Sequence, residues 1–515
     1  MKRIILPHTL FTALLLMAIA VFMSISYPEI AASQEKPQYG GILRNAEGAG
    51  APGSIGWPPS AVGNDALGMK PVIECLVRQD NMGEIHPWLA TAWKIPPDQS
   101  SITFTLRKGL KFHDGSEFNA EVVRFCLQAY KDAKKDGSQN WTSLEVVDDY
   151  TFRINLNKYE NTLLGRFSGN AGAIVSKEAV EKNGVDWAKL NPVGTGPFKF
   201  VSFQRDVVTK FKRNEDYWQK GKPYLDAVEL HVIKDPMTQQ AAMRAGEIEV
   251  LAVEWGKMAA DMKAQGFNIL TAPSGTISLL PDSVNADSFF ADKRVVEAIE
   301  YAIDREAIVK AKGYGFFRVA YQFPPPATAA YDPSFKGRRY DPEKAKKLLA
   351  DAGYPKGFKT KIIPMPFGID RDIMVAIQSY LGAVGIEIEL DFVPYSKYSE
   401  YRMKGWHNAM LCQPIGLFPN FNQTIQWYFA ADSPQFPSLK RPDGFQEMLN
   451  ESLVTTDLDK AKVRKVVKKM FDEAMIIPIH DTGRAYVHQK YVHDTEHMQW
   501  GSWTNWRPDN AWLSK

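Results

Sequence analysis

Strand and helix periodicities alternate along nearly the whole chain, and this limits the fold more than any other feature. The stretch from Ile102 to Leu127 shows the pattern. Ile102, Phe104 and Leu106 alternate with Thr103, Thr105 and Arg107, which is the period-two signature of a half-buried strand. Asp114–Gly115 then marks a turn, because glycine accepts positive φ and aspartate bonds nearby backbone. Asn119 suits the cap of a helix whose inner face carries Val122, Val123, Cys126 and Leu127. Asp341, Pro342 and Glu343 form another helix start, with Ala345, Leu348, Leu349 and Ala352 at helical spacing and Gly353 to close it. Val295, Ala298, Ile299, Ala302 and Ile303 make a further helical face, while Val228, Leu230 and Val232 alternate as a strand and turn His231 to the wetter side. Strands interleaved with helices over 515 residues predict a mixed α/β or α+β chain of two or three domains.

Composition narrows the function. The chain is 45% hydrophobic and 23% charged, with a formal net charge of +3 and no long Lys/Arg block, so it carries no electrostatic footprint for nucleic acid. Lys2 and Arg3 precede an uncharged apolar run from Leu10 to Ser26, and the small residues Ala31, Ala32 and Ser33 follow Pro28. This pattern reads as a cleavable secretory signal over residues 1–33 rather than a retained anchor. No cysteine lies near the cleavage point, so a lipoprotein is not expected. Cys75, Cys126 and Cys412 are too few and too scattered for a disulfide scaffold, and any single pairing stays open.

Several motifs invite catalytic readings. His113–Asp114 falls at the strand-to-helix turn with no nucleophile beside it, and is read as structural. Gly194–Thr195–Gly196 precedes Pro197 and a strand-like run through Phe198 and Phe200. A phosphate loop would open a helix, so this is a turn feeding a strand. His480, His488, His493 and His497 gather near the end of the chain, but "HDTEH" lacks the glutamate of a zinc-protease helix, and they are read as solvated surface histidines. No metal ligand, cofactor or catalytic residue is assigned. Aromatic residues make up 12% of the chain and cluster in irregular segments at 313–326 and 415–433, which suggests a water-excluding pocket in addition to core packing.

The segment "LATAWKIPPDQSSITFTLRKGLKFHDGSEFNAEVVRF", from Leu89 to Phe125, resembles the signature region of the extracellular solute-binding proteins that serve peptide, nickel and opine importers. The resemblance continues through "NPVGTGPFKF" at 191–200, "KRNEDYW" at 212–218, "KPYLDAVELHVI" at 222–233, "RAGEIEV" at 244–250, "FFADKRVVEAIEYAIDREAIV" at 289–309 and "YDPEKAKKLLADAGYPKGF" at 340–358. It implies an α/β, mixed α+β fold: a periplasmic-binding-protein-like clamp of two lobes with an extra subdomain (type II, cluster C), joined by a two-stranded hinge. Mapped onto this chain, residues 34–68, 191–275 and 482–515 form the first lobe, 69–190 its extra subdomain, and 276–481 the second lobe. It further implies a monomeric periplasmic receptor without enzymatic turnover. Such a receptor takes a small-molecule or peptide-like ligand into the cleft and presents it to the membrane permease and ATPase of an ABC importer.

Peptide-binding members of that family resemble one another in placing an aspartate for the ligand's ammonium in a loop of the second lobe. The corresponding stretch here, Leu411 to Phe421, has Phe418 at the first acidic position, Ile415 near the anchor and Cys412 near a tryptophan position. From Phe392 to Ala431 the only acid is Glu400. A buried ammonium without a counter-ion is costly, so the ligand is expected to be neutral, apolar or anionic, or to use a different anchor. Cleft position, as the resemblance implies it, selects Glu47 and Trp57 in a Gly/Pro-rich loop, Thr276 and Ser278 at the start of the second lobe, Phe418, Asn420, Phe421 and Trp427 around the altered loop, and His480 at the returning hinge. Arg294, Asp304 and Arg305 are read as helix-stabilising. The alternatives are an exported hydrolase or metal-dependent enzyme on the same fold, an oligopeptide receptor with another anchor, and a chaperone or sensor subunit.

Overall fold

The computed structural model describes residues 36–48, 52–61, 65–80, 83–254, 256–500 and 503–514, so the expected export signal lies outside the described residues. An eleven-stranded sheet runs through the molecule. In order across it lie Phe198–Gln204, Val208–Arg213, Ala227–Val232, Ile42–Glu47, Val250–Glu254, Ile477–His488, Asn268–Pro281, Ala409–Gly416, Phe358–Pro364 and Ile386–Leu390, with Arg318–Val319 pairing to Ile477–His488 off this path. Ile42–Glu47 pairs in parallel with both neighbours, and so does Phe358–Pro364. Parallel pairs need long crossovers, which is why helix patterns separate these strands in the sequence.

Two long antiparallel strands, Asn268–Pro281 and Ile477–His488, join the two ends of the sheet. Their ladder shifts register between Pro273 and Gly275, and again between Ile277 and Ser278. The buried apolar side chains divide in the same way. One core, around Phe104, Phe152, Phe167 and Trp506, and a smaller one around Met243 and Met262, take their buried members from residues up to Met262 and from Ala485 onward. The two remaining cores take theirs from Ile277 to Ile479. The fold is thus mixed α/β, as the alternating periodicities require.

A separate four-stranded antiparallel sheet runs in the order Ala90–Lys94, Ser101–Leu106, Thr151–Leu156, Trp141–Asp148. Helix Ala120–Asp132 accompanies it, capped by Asn119, whose side chain accepts from the Val122 N–H at 3.1 Å. His113 and Asp114 are turn chemistry. The imidazole Nε2 donates to the Gly196 carbonyl at 2.9 Å, and Asp114 accepts from the hydroxyls of Ser116 and Ser176, each at 2.6 Å. Burial pushes the His113 ring down to about 4, so it stays neutral. The glycines of the 194–196 turn have a steric cause: a Cβ on Gly194 would lie 2.0 Å from the Val72 carbonyl oxygen.

Two expectations need correction. The C-terminal histidines are not a solvated group: His480, His488 and His497 are buried. His488 ends the long central strand, and His497 is stacked between Tyr486 and Trp506, with ring centroids 4.8 and 5.1 Å away. The helix-stabilising reading of Arg305 is too narrow. It is 1% exposed, donates to the carbonyls of Pro478, Glu300 and Arg338, and lies 3.6 Å from the Glu300 carboxylate, so its fork of donors ties separate segments together. Asp304 does cap a helix by accepting from the Ala307 N–H, and Arg294 pairs with Asp292 at the surface. All three cysteines are free. Among the described residues no helix is long and apolar enough to cross a membrane.

Candidate functional site

A cavity of 470 Å³ opens between the residue 61–173 region and the loop that follows strand Ala409–Gly416. One wall carries Lys70, Cys75, the end of helix Ala120–Asp132 and the turn around Arg166 and Asn170. Phe418, Pro419, Gln423 and Trp427 form the other. Local sequence explains the second wall. Asn420 caps helix Phe421–Phe429 by accepting from the Asn422 N–H at 3.0 Å, and the Phe418 N–H donates to Thr424 Oγ1 at 2.9 Å. Phe421, Ile425 and Tyr428 follow at helical spacing and are buried, which leaves Gln423 and Trp427 on the cleft face. Phe418 and Trp427 meet edge to face with centroids 6.5 Å apart, and Trp427 remains 39% exposed. These rings give the cavity an apolar, stackable surface.

Polar contacts hold the two walls together. Arg166 donates to Gln426 Oε1 at 3.0 Å, and Gln426 Nε2 donates to Glu160 at 2.6 Å. Asn161 Nδ2 donates to the Ser452 carbonyl at 2.8 Å, Asn420 Nδ2 to the Asn161 carbonyl at 3.1 Å, and the Tyr159 hydroxyl to the Thr456 carbonyl at 2.9 Å. A second cavity of 490 Å³ adjoins the first, sharing Lys134, Asp136, Arg166 and Trp427 with it.

Among the described residues, the charged lining of the first cavity consists of Lys70, Lys134, Lys135, Arg166 and the acid Asp136, which is ion-paired with Arg166. Burial lowers the Arg166 guanidinium to about 10 and also holds the Lys70 ammonium below its ordinary range. The same effect raises the Cys75 thiol to about 11, keeping it protonated and unreactive. Glu400, the one acid near the altered anchor loop in sequence, lies on helix Tyr395–Lys404 and pairs with Lys397 and Lys404.

The nine residues singled out from the sequence fall in different places. Phe418 and Trp427 line the 470 Å³ cavity, and Asn420 joins its two walls. Trp57 is buried against Phe125, and Phe421 against Phe323. Thr276 and Ser278 are fully buried, Thr276 donating to the Phe323 carbonyl and Ser278 to the Thr276 carbonyl. These four side chains sit away from the cavity because strand pairing and core packing consume them. Glu47 borders a separate cavity of 520 Å³ beside Arg484, and burial raises its carboxyl. His480 borders a fourth cavity, of 330 Å³, and is stacked on Phe317 at 4.4 Å. Sequence reasoning missed Lys70, Arg166, Asn170 and Gln423. No motif marks them, since turns distant in sequence bring them together.

Among the described residues one cluster has metal-ligand chemistry: Asp80, Glu84 and His86, whose ligand atoms lie within 4.8 Å of one another. His86 Nε2 is 2.7 Å from Asp80, and Asp80 also accepts from the Glu84 N–H, so these groups close a hairpin turn.

Residues 84–435 match the model of the bacterial extracellular solute-binding proteins, family 5. The chain is 34% identical over 312 residues to heme-binding protein A of Haemophilus influenzae, covering 54% of this chain and 55% of that protein. To glutathione-binding protein GsiB of Salmonella choleraesuis it is 32% identical over 280 residues, covering 53% and 54%. The chain thus spans about half the length of these relatives. Among solved structures, the periplasmic binding protein DppA of Helicobacter pylori in complex with the peptide STSA superimposes with a TM-score of 0.74 at 27% identity, over 93% of this chain and 99% of that one. The match to the family model over more than half of the sequence, together with this fold, establishes that the chain belongs to family 5 of the bacterial extracellular solute-binding proteins.

Proposed function

We propose that this chain is the periplasmic substrate-binding component of an ABC importer and that it takes a small solute into the 470 Å³ cavity. The observation that carries this reading is that both cavity walls come from segments far apart in the chain, bridged by the Arg166–Gln426 and Asn161–Ser452 hydrogen bonds. A ligand touching both walls favours the closed arrangement by its differential contacts, which is how a hinged receptor signals occupancy. Asn268–Pro281 and Ile477–His488 are the hinge in this reading. Their register shift beside Gly275, paired with Thr482, lies where the proposed lobes 34–275 plus 482–515 and 276–481 divide. The permease and ATPase are the partners, and the receptor works as a monomer without turnover.

The ligand is not a standard peptide with a free N-terminus. The loop from Leu411 to Phe421 supplies no carboxylate, and Asp136 in the opposite wall is committed to Arg166. An oligopeptide receptor with a different anchor is the second reading, favoured by the likeness to the peptide-bound Helicobacter pylori protein. Native mass spectrometry of the protein purified from a periplasmic extract separates the two. A single extra mass relative to the denatured chain is expected. A ladder of many masses would establish the peptide reading, and product formation from bound ligand would overturn the receptor reading in favour of an enzyme.

A further inference from the structure

We infer that a small void behind one wall of the 470 Å³ cavity binds a monatomic anion of chloride size, held by N–H groups of Arg78 and Trp506. The void measures 50 Å³, and its lining includes Glu74, Arg78, Trp88, Trp506, Arg507 and Asp509. Ile73 and Cys75 line both spaces, which sets the void back to back with the larger cavity. Its volume admits a small ion or a few waters but no organic solute, so it is separate from the proposed solute site.

The void gathers donors that lack acceptors. Trp506 is 1% exposed, and its indole N–H makes no hydrogen bond. Nε and Nη1 of Arg78 are buried and make none either, since the Glu496 carboxylate oxygen paired with Nη1 stands 3.6 Å away, beyond hydrogen-bond reach. The carboxylates lining the void are already used. Glu74 accepts from Trp88 and Tyr217 on one oxygen and from Thr195 and Trp218 on the other. Asp509 accepts from Arg507 on both oxygens and from Lys222 on one of them. Lys70 also lines the void and is already partnered.

Three such N–H groups need an occupant that accepts without donating. Guanidinium and indole carry no acceptor of their own, and a buried donor left without a partner is destabilising. A water would accept from some of them but bring two protons that need acceptors in turn, whereas a halide brings none. Charge points the same way. Arg78 and Arg507 both lie over the Trp88 ring, 5.7 and 5.3 Å from its centroid. Burial and the neighbouring Arg507 hold the Arg78 guanidinium below its ordinary range, against the opposing pull of Glu496, Asp509 and Asp80. An anion in the void favours the charged form of Arg78, and by sharing itself with Trp506 it ties strand Val77–Gln79 to the C-terminal segment.

The test is thermal unfolding of the full-length mature protein in sodium gluconate, with chloride or bromide replacing gluconate at constant ionic strength. Gluconate is too large for the void, so it serves as the reference anion. Chloride and bromide are expected to raise the melting temperature saturably, by roughly 2 °C or more at about 150 mM. Trp506→Phe removes the indole N–H and keeps an aromatic ring against His497, and Arg78→Met removes the guanidinium; each should lose most of that increment. Crystals of the unsubstituted protein grown in sodium bromide should show an anomalous peak between Arg78 and Trp506, a readout that does not depend on either variant folding. No difference between halide and gluconate, an increment that survives either substitution, or a void holding only water in the anomalous map overturns the inference.

Discussion

Arg166 and Gln426 meet across the cleft, the guanidinium donating to the Gln426 side-chain carbonyl at 3.0 Å. Gln426 Nε2 donates onward to Glu160, so one amide bridges two groups of the opposite wall. Gln426→Ala removes two hydrogen bonds to charged groups that bridge the two walls. Each such bond contributes about 1.5–3 kcal/mol, part of which water recovers on opening. Ligand dissociation should quicken by roughly ten-fold or more by stopped-flow fluorescence, with little change in the melting temperature of the ligand-free protein.

Trp427 and Phe418 give the cavity its stacking surface. Trp427 is 39% exposed, so Trp427→Ala should leave stability within about 1 kcal/mol, as expected for a residue outside the core. Ligand affinity should fall by at least ten-fold, measured as loss of retained ligand on purification. Phe421→Ala does the opposite: it opens a core void costing about 3–5 kcal/mol, which appears as a lower urea midpoint.

The buried histidines make stability depend on pH. Burial pushes the rings of His480 and His488 down to about 4, whereas in the unfolded chain they titrate near 6.5. Between about pH 6.5 and 4 the unfolded state binds more protons, so their contribution is complete above 6.5 and is lost as pH falls toward 4. Glu74 runs the other way. Burial raises its carboxyl to about 7, so from about pH 4.5 to 7 the folded state holds more protons and stability drops as pH rises. Urea titrations at pH 7.5 and 5 should therefore show His488→Gln losing about 2 kcal/mol less than the wild type on acidification. Glu74→Gln should lose more than the wild type over the same interval.

Gly194 is fixed by a passing backbone. A methyl group there would lie 2.0 Å from the Val72 carbonyl oxygen, and no flexible side chain is available to yield. Gly194→Ala should cost about 3 kcal/mol or more in a urea melt. Gly382→Ala, where a Cβ meets nothing within 4 Å, should be neutral or mildly stabilising.

Features written locally were legible in the sequence. Asn119 capping Val122, the Asp341–Pro342 helix start and the Asp114–Ser116 bond of the turn each depend on neighbours a few residues away. The mixed α/β class followed from them, and the family from the order of the longer segments. Of the residues selected from the sequence, Phe418 and Trp427 line the 470 Å³ cavity, and both lie in one short segment. Lys70, Arg166 and Gln423 come from three regions of the chain, and only tertiary packing brings them to one cavity. Trp57, Thr276 and Ser278 are buried and do not line that cavity, because proximity in sequence does not say which face of a strand or loop turns inward. The histidines were misread for a related reason: His497 is buried by Tyr486 and Trp506 and His480 by Phe317, contacts that no local pattern marks.

The most direct test of the central claim is hydrogen–deuterium exchange on the protein with its retained ligand and after the ligand has been stripped. A ligand held between the two walls predicts protection of both the 165–173 and 417–427 segments together on binding. Protection of neither segment, or protection confined to the cavity beside Glu47 and Arg484, would contradict it.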